Sequence, residues 1–211
     1  MSLGKLLKNV SLALTVGMSA MLLPTGSAVA AERYTTVEPA QPSDTSGKIE
    51  VLEFFAYTCP HCQKMEPMVA NWAKTLPDDV VIKPVPIAFN AGMADLQKLY
   101  YTLESMNRLD LHGKVFSAIH DERKRIFDKA AIADWISGQG VDRQAFENTF
   151  SSFGVDSKVR RANELTKAYN INGTPSLAVG GKYVTSPSMT GSYEGTITEA
   201  QQLLNKVRNP G

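Results

Sequence analysis

The chain has 211 residues, of which 43% are hydrophobic and 20% charged, and its 22 basic side chains nearly balance its 21 acidic ones. This composition is typical of a globular domain and excludes collagen-like, low-complexity and wholly disordered proteins. A formal charge of +1 also excludes a strongly basic nucleic-acid binder. The two cysteines are too few for a disulfide scaffold or for all four ligands of a structural zinc site, so their spacing decides their role.

The first 30 residues have the pattern of a secretory signal peptide. Two lysines precede an apolar run from Val10 to Leu23, and the sequence Ala-Val-Ala at residues 28–30 supplies a cleavage site. A membrane anchor is the alternative, but this run of 14 residues is shorter than the roughly 20 that span a bilayer. We therefore expect residues 1–30 to be cleaved, leaving a mature chain from about Ala31 outside the cytosol, where disulfides persist.

The mature chain opens with a predicted arm and a strand-helix-strand unit. Residues 31–48 are rich in Pro, Ser and Thr and indicate an extended arm. Residues 49–56 are almost continuously apolar, which is typical of a strand covered on both faces, and Glu53 is out of place there. Helical spacing of apolar residues follows over 60–75, and residues 80–89 predict a second strand despite two prolines that lack ladder donors.

The next 80 residues are predicted to be entirely helical. From residue 92 to residue 170 apolar residues recur at helical spacing, and four or five helices fit this stretch. Asp128, Asp142 and Asp156 each precede a periodic run and are candidate N-caps.

Strand character returns near the C-terminus. Residues 176–179 and 182–185 predict two strands joined by Gly180-Gly181, a favourable two-residue hairpin turn. A final helix is predicted to open at the capping-box pattern Thr196-Ile197-Thr198-Glu199. The predicted order is strand-helix-strand, a helical block, then a hairpin and a helix.

The chemistry concentrates in Cys59-Pro60-His61-Cys62, between the buried strand and the first helix. At this spacing Cys59 lies at the helix N-terminus and Cys62 one turn in on the same face, close enough for a disulfide. First-turn N–H groups and the helix dipole favour a thiolate on Cys59, which is therefore the expected nucleophile. His61 can add a partial positive charge. While the Cys59 pKa is below the ambient pH, each unit by which it falls favours the reduced form by about 1.4 kcal/mol, which makes the couple more oxidising.

Three other roles for the cysteine pair are weaker. A disulfide that serves only as a staple would close a loop of four residues, which gains little stability and is commonly strained. A metal site would have to use His61 between the two thiols, which is not a usual ligand spacing. Haem attachment requires a histidine directly after the second cysteine, and Gln63 occupies that position.

These residues resemble the thioredoxin-fold thiol–disulfide oxidoreductases, and within them the DsbA-type oxidases of the bacterial periplasm. The resemblance rests on Val51-Leu52-Glu53-Phe54-Phe55 leading into the Cys59–Cys62 motif, and on Gly173-Thr174-Pro175 before the returning strand. The helical block and the signal peptide agree with it, so it covers the whole mature chain. It implies a thioredoxin fold, a mixed α/β sheet flanked by helices, with an inserted all-helical domain at residues 91–154 between thioredoxin-like segments 31–90 and 155–211.

The resemblance also implies a role for each site residue. Cys59 would form the mixed disulfide and Cys62 would be the buried resolving thiol, with Pro60 and His61 tuning the redox potential. Pro175 would be a cis-proline, the alternative being an ordinary trans turn proline, and Thr174 would offer backbone groups to an extended substrate segment. Family members use several residues at the Thr174 position, and the choice affects the release of partners.

Glu53 is similar to a buried acidic residue behind the active site of family members, where it could relay a proton to Cys62. A glutamate that faces solvent at a strand edge is the alternative. Glu66 is similar to a second acidic position in the family, although a charge on a helix is usually solvated. His112 and His120, in the helical block, are interpreted as surface or structural residues.

The resulting hypothesis is a periplasmic oxidase that donates the Cys59–Cys62 disulfide to reduced secreted polypeptides. We expect a monomer with no bound cofactor, no metal and no nucleic-acid partner, reoxidised by a DsbB-type membrane quinone reductase. A reductase or isomerase would share the motif, although isomerases of this kind usually carry a dimerisation domain and the arm at 31–48 is too short for one. A chaperone-like peptide binder without redox turnover is the third candidate.

Overall fold

The computed structural model describes residues 32–209, so the predicted signal peptide and the start at Ala31 lie outside the described residues. Within this range a mixed sheet has the order β1-β5-β4-β2-β3. The strands are β1 (Thr35–Thr36), β2 (Ile49–Phe55), β3 (Val80–Pro86), β4 (Ser176–Val179) and β5 (Tyr183–Thr185). Strand β2 runs parallel to β3 and antiparallel to β4. Because β2 has a neighbour on each side and is covered on both faces, its almost continuous apolar run is explained.

Helices cover both faces of this sheet. In the described chain they are α1 (Pro60–Ala73), α2 (Ala94–Ser105), α3 (His112–His120), α4 (Lys129–Ser137), α5 (Arg143–Phe150), α6 (Phe153–Ala168), α7 (Pro187–Thr190) and α8 (Tyr193–Arg208). Helices α2 to α6 follow one another between β3 and β4, as the helical period predicted. The expected domain boundary between residues 154 and 155 lies inside α6, and the division into domains stays a prediction. None of the helices in residues 32–209 is long and apolar enough to cross a membrane.

Two apolar cores lie on opposite faces of the sheet. The smaller one joins the sheet to α1 and α8. The sheet contributes Val51, Leu177 and Val179, helix α1 contributes Met65, Val69 and Trp72, and helix α8 contributes Ala200, Leu203 and Leu204. The larger one joins Leu52 and Phe54 of β2 to the helical block. Since α1 packs on the sheet through one whole face, its N-terminus is fixed at the end of β2, where the cysteine motif lies.

The predicted hairpin turn is confirmed, and it also holds the N-terminal arm. Gly180 and Gly181 have φ angles of 58° and 73°, in the left-handed region that glycine adopts without steric cost. A Cβ on Gly181 would lie 2.0 Å from the carbonyl oxygen of Gln41, so the arm passes directly over the turn. The Gln41 N–H donates to the Gly181 carbonyl at 2.8 Å, and β1 pairs antiparallel with β5.

Two predicted helix starts are wrong. The N-cap of α6 is Ser152, whose hydroxyl accepts from the Val155 N–H, and Asp156 lies within the first turn. Asp156 pairs instead with Lys98 at 2.8 Å. Asp128 and Asp142 do cap α4 and α5, each accepting from the N–H three residues on.

The last helix begins one turn before its predicted capping box. Ser192 is the N-cap of α8 and accepts from the Gly195 N–H at 2.9 Å. Thr196 is therefore inside the helix and buried, and Glu199 accepts a hydrogen bond from Arg33 at 2.7 Å. Other limits move by a few residues, since α1 ends at Ala73 and β3 ends at Pro86.

Candidate redox site

The sulfur of Cys59 caps the helix that carries the motif. Cys59 is the N-cap of α1, with extended backbone angles, and its Sγ accepts a hydrogen bond from the Cys62 N–H at 3.3 Å. Pro60 follows in the first turn, where its missing N–H costs nothing. The nucleophile candidate is therefore held against the N–H groups of the first turn, which the strand-to-helix connection had predicted.

The two cysteines have opposite environments. Both are free thiols, with Cys59 half-buried and Cys62 completely buried. A hydrogen bond from the Cys62 thiol, aided by the Thr174 side chain and the N–H groups of Cys62 and His61, lowers the pKa of Cys59 to about 5 despite its burial. Burial is the largest cause that raises the pKa of Cys62 far above that of a free thiol, followed by its contact with Cys59. At neutral pH the reduced pair therefore carries one negative charge, on Cys59.

The loop before β4 meets Cys59 from the opposite end of the chain. The Thr174–Pro175 peptide bond is cis, which confirms the predicted isomer and makes the trans alternative wrong. In the thiol form the Cys59 Sγ donates to the Thr174 carbonyl at 3.3 Å, although the two residues are 115 positions apart in the sequence. Pro175 is buried beside them. The residues singled out for the motif and for the loop thus come together around one sulfur.

Glu53 lies in the interior, so the solvent-facing alternative is wrong. It is on the central strand β2 with 5% of its surface exposed, on the same side of the strand as Val51, which packs on α1. Desolvation, with a smaller contribution from the charge of Glu66, raises the pKa of Glu53 to about 8. Glu66 is itself half-buried, and burial raises its pKa as well. Glu53 therefore holds its proton at neutral pH and releases it as the pH rises past about 8.

A cleft of about 550 Å³ opens beside the motif. Its lining includes His61, the Thr174–Pro175 loop and the segment that carries α7 and the start of α8, and it is rich in hydroxyl groups. Ser186, Ser188 and Ser192 contribute three of these groups. None of its lining residues is Asp, Glu, Lys or Arg, so an extended segment entering it would meet a neutral, hydrogen-bonding wall.

The partner of His61 was not predicted from the sequence. The Nδ1 atom of His61 lies 2.6 Å from the hydroxyl of Tyr193, the first residue of α8. The two residues are 132 positions apart, and Tyr193 has no motif around it that signals a role. Only the folded chain brings the first turns of α1 and α8 together.

Two histidines of α3 hold the residue Tyr57, two positions before Cys59. The Nδ1 atom of His112 and the Tyr57 hydroxyl are hydrogen-bonded at 2.8 Å, and Nε2–H of His120 donates to the Tyr57 carbonyl at 2.8 Å. Burial lowers the pKa of His112 to about 4, so it is neutral at physiological pH. The structural interpretation of both histidines is thus supported, and through them the helical block braces the strand end that leads to the motif.

No cluster of three or more His, Cys, Asp and Glu side chains suited to a metal ion occurs in the part of the chain that the structure describes. The motif residues are instead arranged around Cys59. What this arrangement can do chemically is exchange a thiolate with a disulfide at the Cys59 sulfur, with Cys62 as the second thiol.

Comparisons with known proteins agree with this chemistry. A family model described as a DSBA-like thioredoxin domain matches residues 50–194. The thiol:disulfide interchange protein DsbA of Bordetella pertussis is 54% identical over 197 residues, covering 93% of this chain and 94% of that protein. The DsbA of Pseudomonas aeruginosa is 35% identical over 209 residues, 96% of this chain and 98% of that protein. A crystal structure of Pseudomonas aeruginosa DsbA has a TM-score of 0.80 at 36% identity, covering 84% of this chain and 93% of that one.

Proposed function

The chain belongs to the DsbA-like thioredoxin family and is a thiol:disulfide oxidoreductase, and on this basis we propose that it oxidises reduced polypeptides exported to the periplasm. The observation that carries the proposal is the contrast between the two thiols. A pKa of about 5 at Cys59 stabilises the reduced pair, while burial keeps Cys62 protonated. Stabilising the reduced form makes the disulfide form a stronger oxidant.

In the first step a substrate thiolate attacks Cys59 Sγ of the oxidised enzyme. The Cys59–Cys62 bond breaks, a mixed disulfide forms with Cys59, and the bond electrons leave with Cys62 as a thiolate. In the second step another thiolate of the same substrate attacks the substrate sulfur of the mixed disulfide. Cys59 leaves as a thiolate, and the substrate has lost two electrons while the enzyme has gained two.

Glu53 is suited to supply the proton that the first step requires. The departing Cys62 thiolate is buried, and its raised pKa means that it must be protonated. Glu53 has a pKa of about 8 and lies beneath α1, so it still holds a proton at neutral pH and can give it up at small cost. Glu66 influences this donor through its charge, which contributes to the raised pKa of Glu53.

The Thr174–Pro175 loop and the neighbouring cleft are the proposed binding site for substrate. The loop contacts Cys59, so an extended segment paired with the backbone of Thr174 would present its cysteine to the reactive sulfur. Pro60 and His61 complete the site as neighbours of Cys59 in the first turn of α1.

The reaction uses only the electrons of the Cys59–Cys62 pair, so the proposal requires no bound cofactor. Turnover needs an electron acceptor, for which we propose a DsbB-type quinone reductase of the inner membrane. The signal pattern at residues 1–30 supports export to the periplasm.

Equilibration of the mature protein in glutathione buffers tests the direction of electron flow. We expect a couple more oxidising than glutathione, with the reduced form the more stable to heat. A strongly reducing couple with the more stable oxidised form would overturn the proposal in favour of a periplasmic reductase. Cys59→Ser should abolish oxidation of a reduced, unfolded client. If the unmodified protein shows no oxidation and Cys59→Ser still holds unfolded clients, the protein is instead a chaperone-like binder.

A further inference from the structure

The imidazole of His61, a residue of α1, is hydrogen-bonded to a residue of α8. His61 lies in the first turn of α1, and Tyr193 opens α8, so the 2.6 Å contact between Nδ1 and the phenolic hydroxyl bridges two helix N-termini. Their rings are 6.2 Å apart at an angle of 44°, so the contact is a hydrogen bond rather than a stacked pair. This contact fixes which edge of the imidazole is available.

The bond persists in either protonation state of His61. A neutral imidazole can accept the Tyr193 O–H proton at Nδ1, with its own proton on Nε2, and an imidazolium can donate from Nδ1 to the phenolic oxygen. In both states Nδ1 is occupied, and Nε2 is left as the free nitrogen.

The sulfur of Cys59 makes its hydrogen bonds with other groups. The Cys62 N–H donates to it at 3.3 Å, and in the thiol form the sulfur donates to the Thr174 carbonyl at 3.3 Å. Among residues 32–209 no hydrogen bond joins the His61 ring to this sulfur, and the His61 contribution to the thiolate comes from its backbone N–H.

Among the described residues that line the cleft, His61 is the only one whose side chain can carry a positive charge, since the others include no Lys, Arg or further His. An imidazolium free to turn towards Cys59 would stabilise its thiolate through the attraction of opposite charges. The Tyr193 hydroxyl competes for that ring.

We propose that Tyr193 is a positioning residue of the redox site: it holds the His61 imidazole against the wall of the cleft and so limits the stabilisation of the Cys59 thiolate. The oxidising strength of the protein is then set partly by the first residue of α8, which lies beside the motif although it is 132 positions from His61 in the sequence. This inference deepens the proposed function and rests on Cys59 being the reactive thiol.

A double-mutant cycle of Tyr193→Phe and His61→Ala tests the inference. Phenylalanine keeps the ring and removes only the hydroxyl. We expect Tyr193→Phe to raise the equilibrium constant for reduction by glutathione about three- to tenfold, and to move the titration of the Cys59 thiolate to lower pH in the same proportion, since tenfold corresponds to one pKa unit. In the His61→Ala background the same substitution should change neither quantity.

Tyr34→Phe is the matched control. Its hydroxyl also makes one side-chain hydrogen bond, with Lys206, 13 residues along α8 from Tyr193, which is roughly 20 Å at the rise of an α-helix. The control should leave both quantities unchanged. Nitrogen NMR of His61 adds an independent readout, because loss of the Tyr193 hydroxyl should change the shielding of Nδ1.

Three results would overturn the inference. They are an unchanged constant and titration in Tyr193→Phe, a shift towards a more reducing couple, and an equal effect with and without His61. The comparison uses ratios between variants, so it holds whatever the potential of the unmodified protein. A wild-type couple more reducing than glutathione would contradict the proposed oxidase direction, whereas a flat cycle would contradict only the role of Tyr193.

Discussion

Replacing Glu53 by glutamine should stabilise the folded protein in a strongly pH-dependent way. The substitution keeps the shape of the side chain and removes its ionisation. In the folded protein the Glu53 carboxyl has a pKa of about 8, against 4.5 for the free side chain, chiefly because it is desolvated on β2. The unfolded chain therefore releases a proton that the folded chain retains, and this difference destabilises the fold as the pH rises.

The size of the effect follows from the two pKa values. Below pH 4.5 the carboxyl is neutral in both states and costs nothing. Between pH 4.5 and pH 8 the free energy of unfolding falls by about 1.4 kcal/mol for each pH unit, and above pH 8 the loss is complete. At pH 7 the loss is on the order of 3 kcal/mol, and Glu53→Gln should recover it.

Urea unfolding of the reduced protein at several pH values from 4 to 9 measures this gain. The difference between Glu53→Gln and the unmodified protein should be close to zero at pH 4, grow to about 3 kcal/mol at pH 7 and level off above pH 8. Glu32→Gln, at an exposed glutamate, is the control and should show no such growth. A constant difference at all pH values, or a variant that loses stability as the pH rises, would refute the assignment of a buried, protonated Glu53.

Three further substitutions probe the site and its frame. Thr174→Val removes a hydrogen bond that helps to lower the pKa of Cys59 to about 5. The pKa of Cys59 should therefore rise and the couple become more reducing. An unchanged titration of the thiolate absorbance would contradict this. Phe116→Ala should lower the free energy of unfolding in urea by about 3–5 kcal/mol, because the ring is buried against Phe55 and Tyr57 and its loss leaves a cavity. A loss below about 1 kcal/mol would mean that Phe116 is not packed in this way. Asp142→Ala removes the cap of α5 and should lower the free energy of unfolding by about 1 kcal/mol, a loss that Asp142→Asn largely avoids if capping is the cause.

The parts of the site that depend on neighbouring residues were predictable from the sequence. Cys59 at a helix N-terminus follows from a buried strand, a turn and Pro60, all within a dozen residues. The turn at Gly180-Gly181 follows from the demand for positive φ angles, which few residues other than glycine meet. In these segments the local rules and the final structure agree because no distant contact competes with them.

The incorrect helix start at Thr196 shows where local rules fail. Ser192 and Thr196 both have the character of an N-cap, and Thr196 is followed by the glutamate of a capping box. The choice is made by contacts outside the pattern, because Glu199 is drawn into a hydrogen bond with Arg33 of the arm, and Thr190 binds the Thr196 hydroxyl. A window of four residues contains neither partner.

Contacts between distant segments could not be predicted from local patterns alone. Nothing in the residues around Tyr193 indicates a hydrogen bond with His61, and nothing near His112 and His120 indicates that both hold Tyr57. These pairs arise from the packing of helices α3 and α8 against the motif. Hydrophobic periodicity predicts which face of a helix is buried, but not which residues that face contacts. The resemblance to a family supplied the roles of Thr174 and Pro175, which periodicity alone would have left as a loop.

The separation of 115 positions between Cys59 and Thr174 has a consequence for a chain that crosses a membrane from its N-terminus. Cys59 would emerge long before Thr174, Pro175 and Tyr193, so for that interval its sulfur would have only the local N–H groups of α1. The wall of the cleft would not yet exist, and no docking surface would offer the sulfur to another nascent polypeptide. Full reactivity would therefore begin only when the C-terminal hairpin has joined the sheet, so the order in which the chain emerges would keep thiol exchange below its full rate until then.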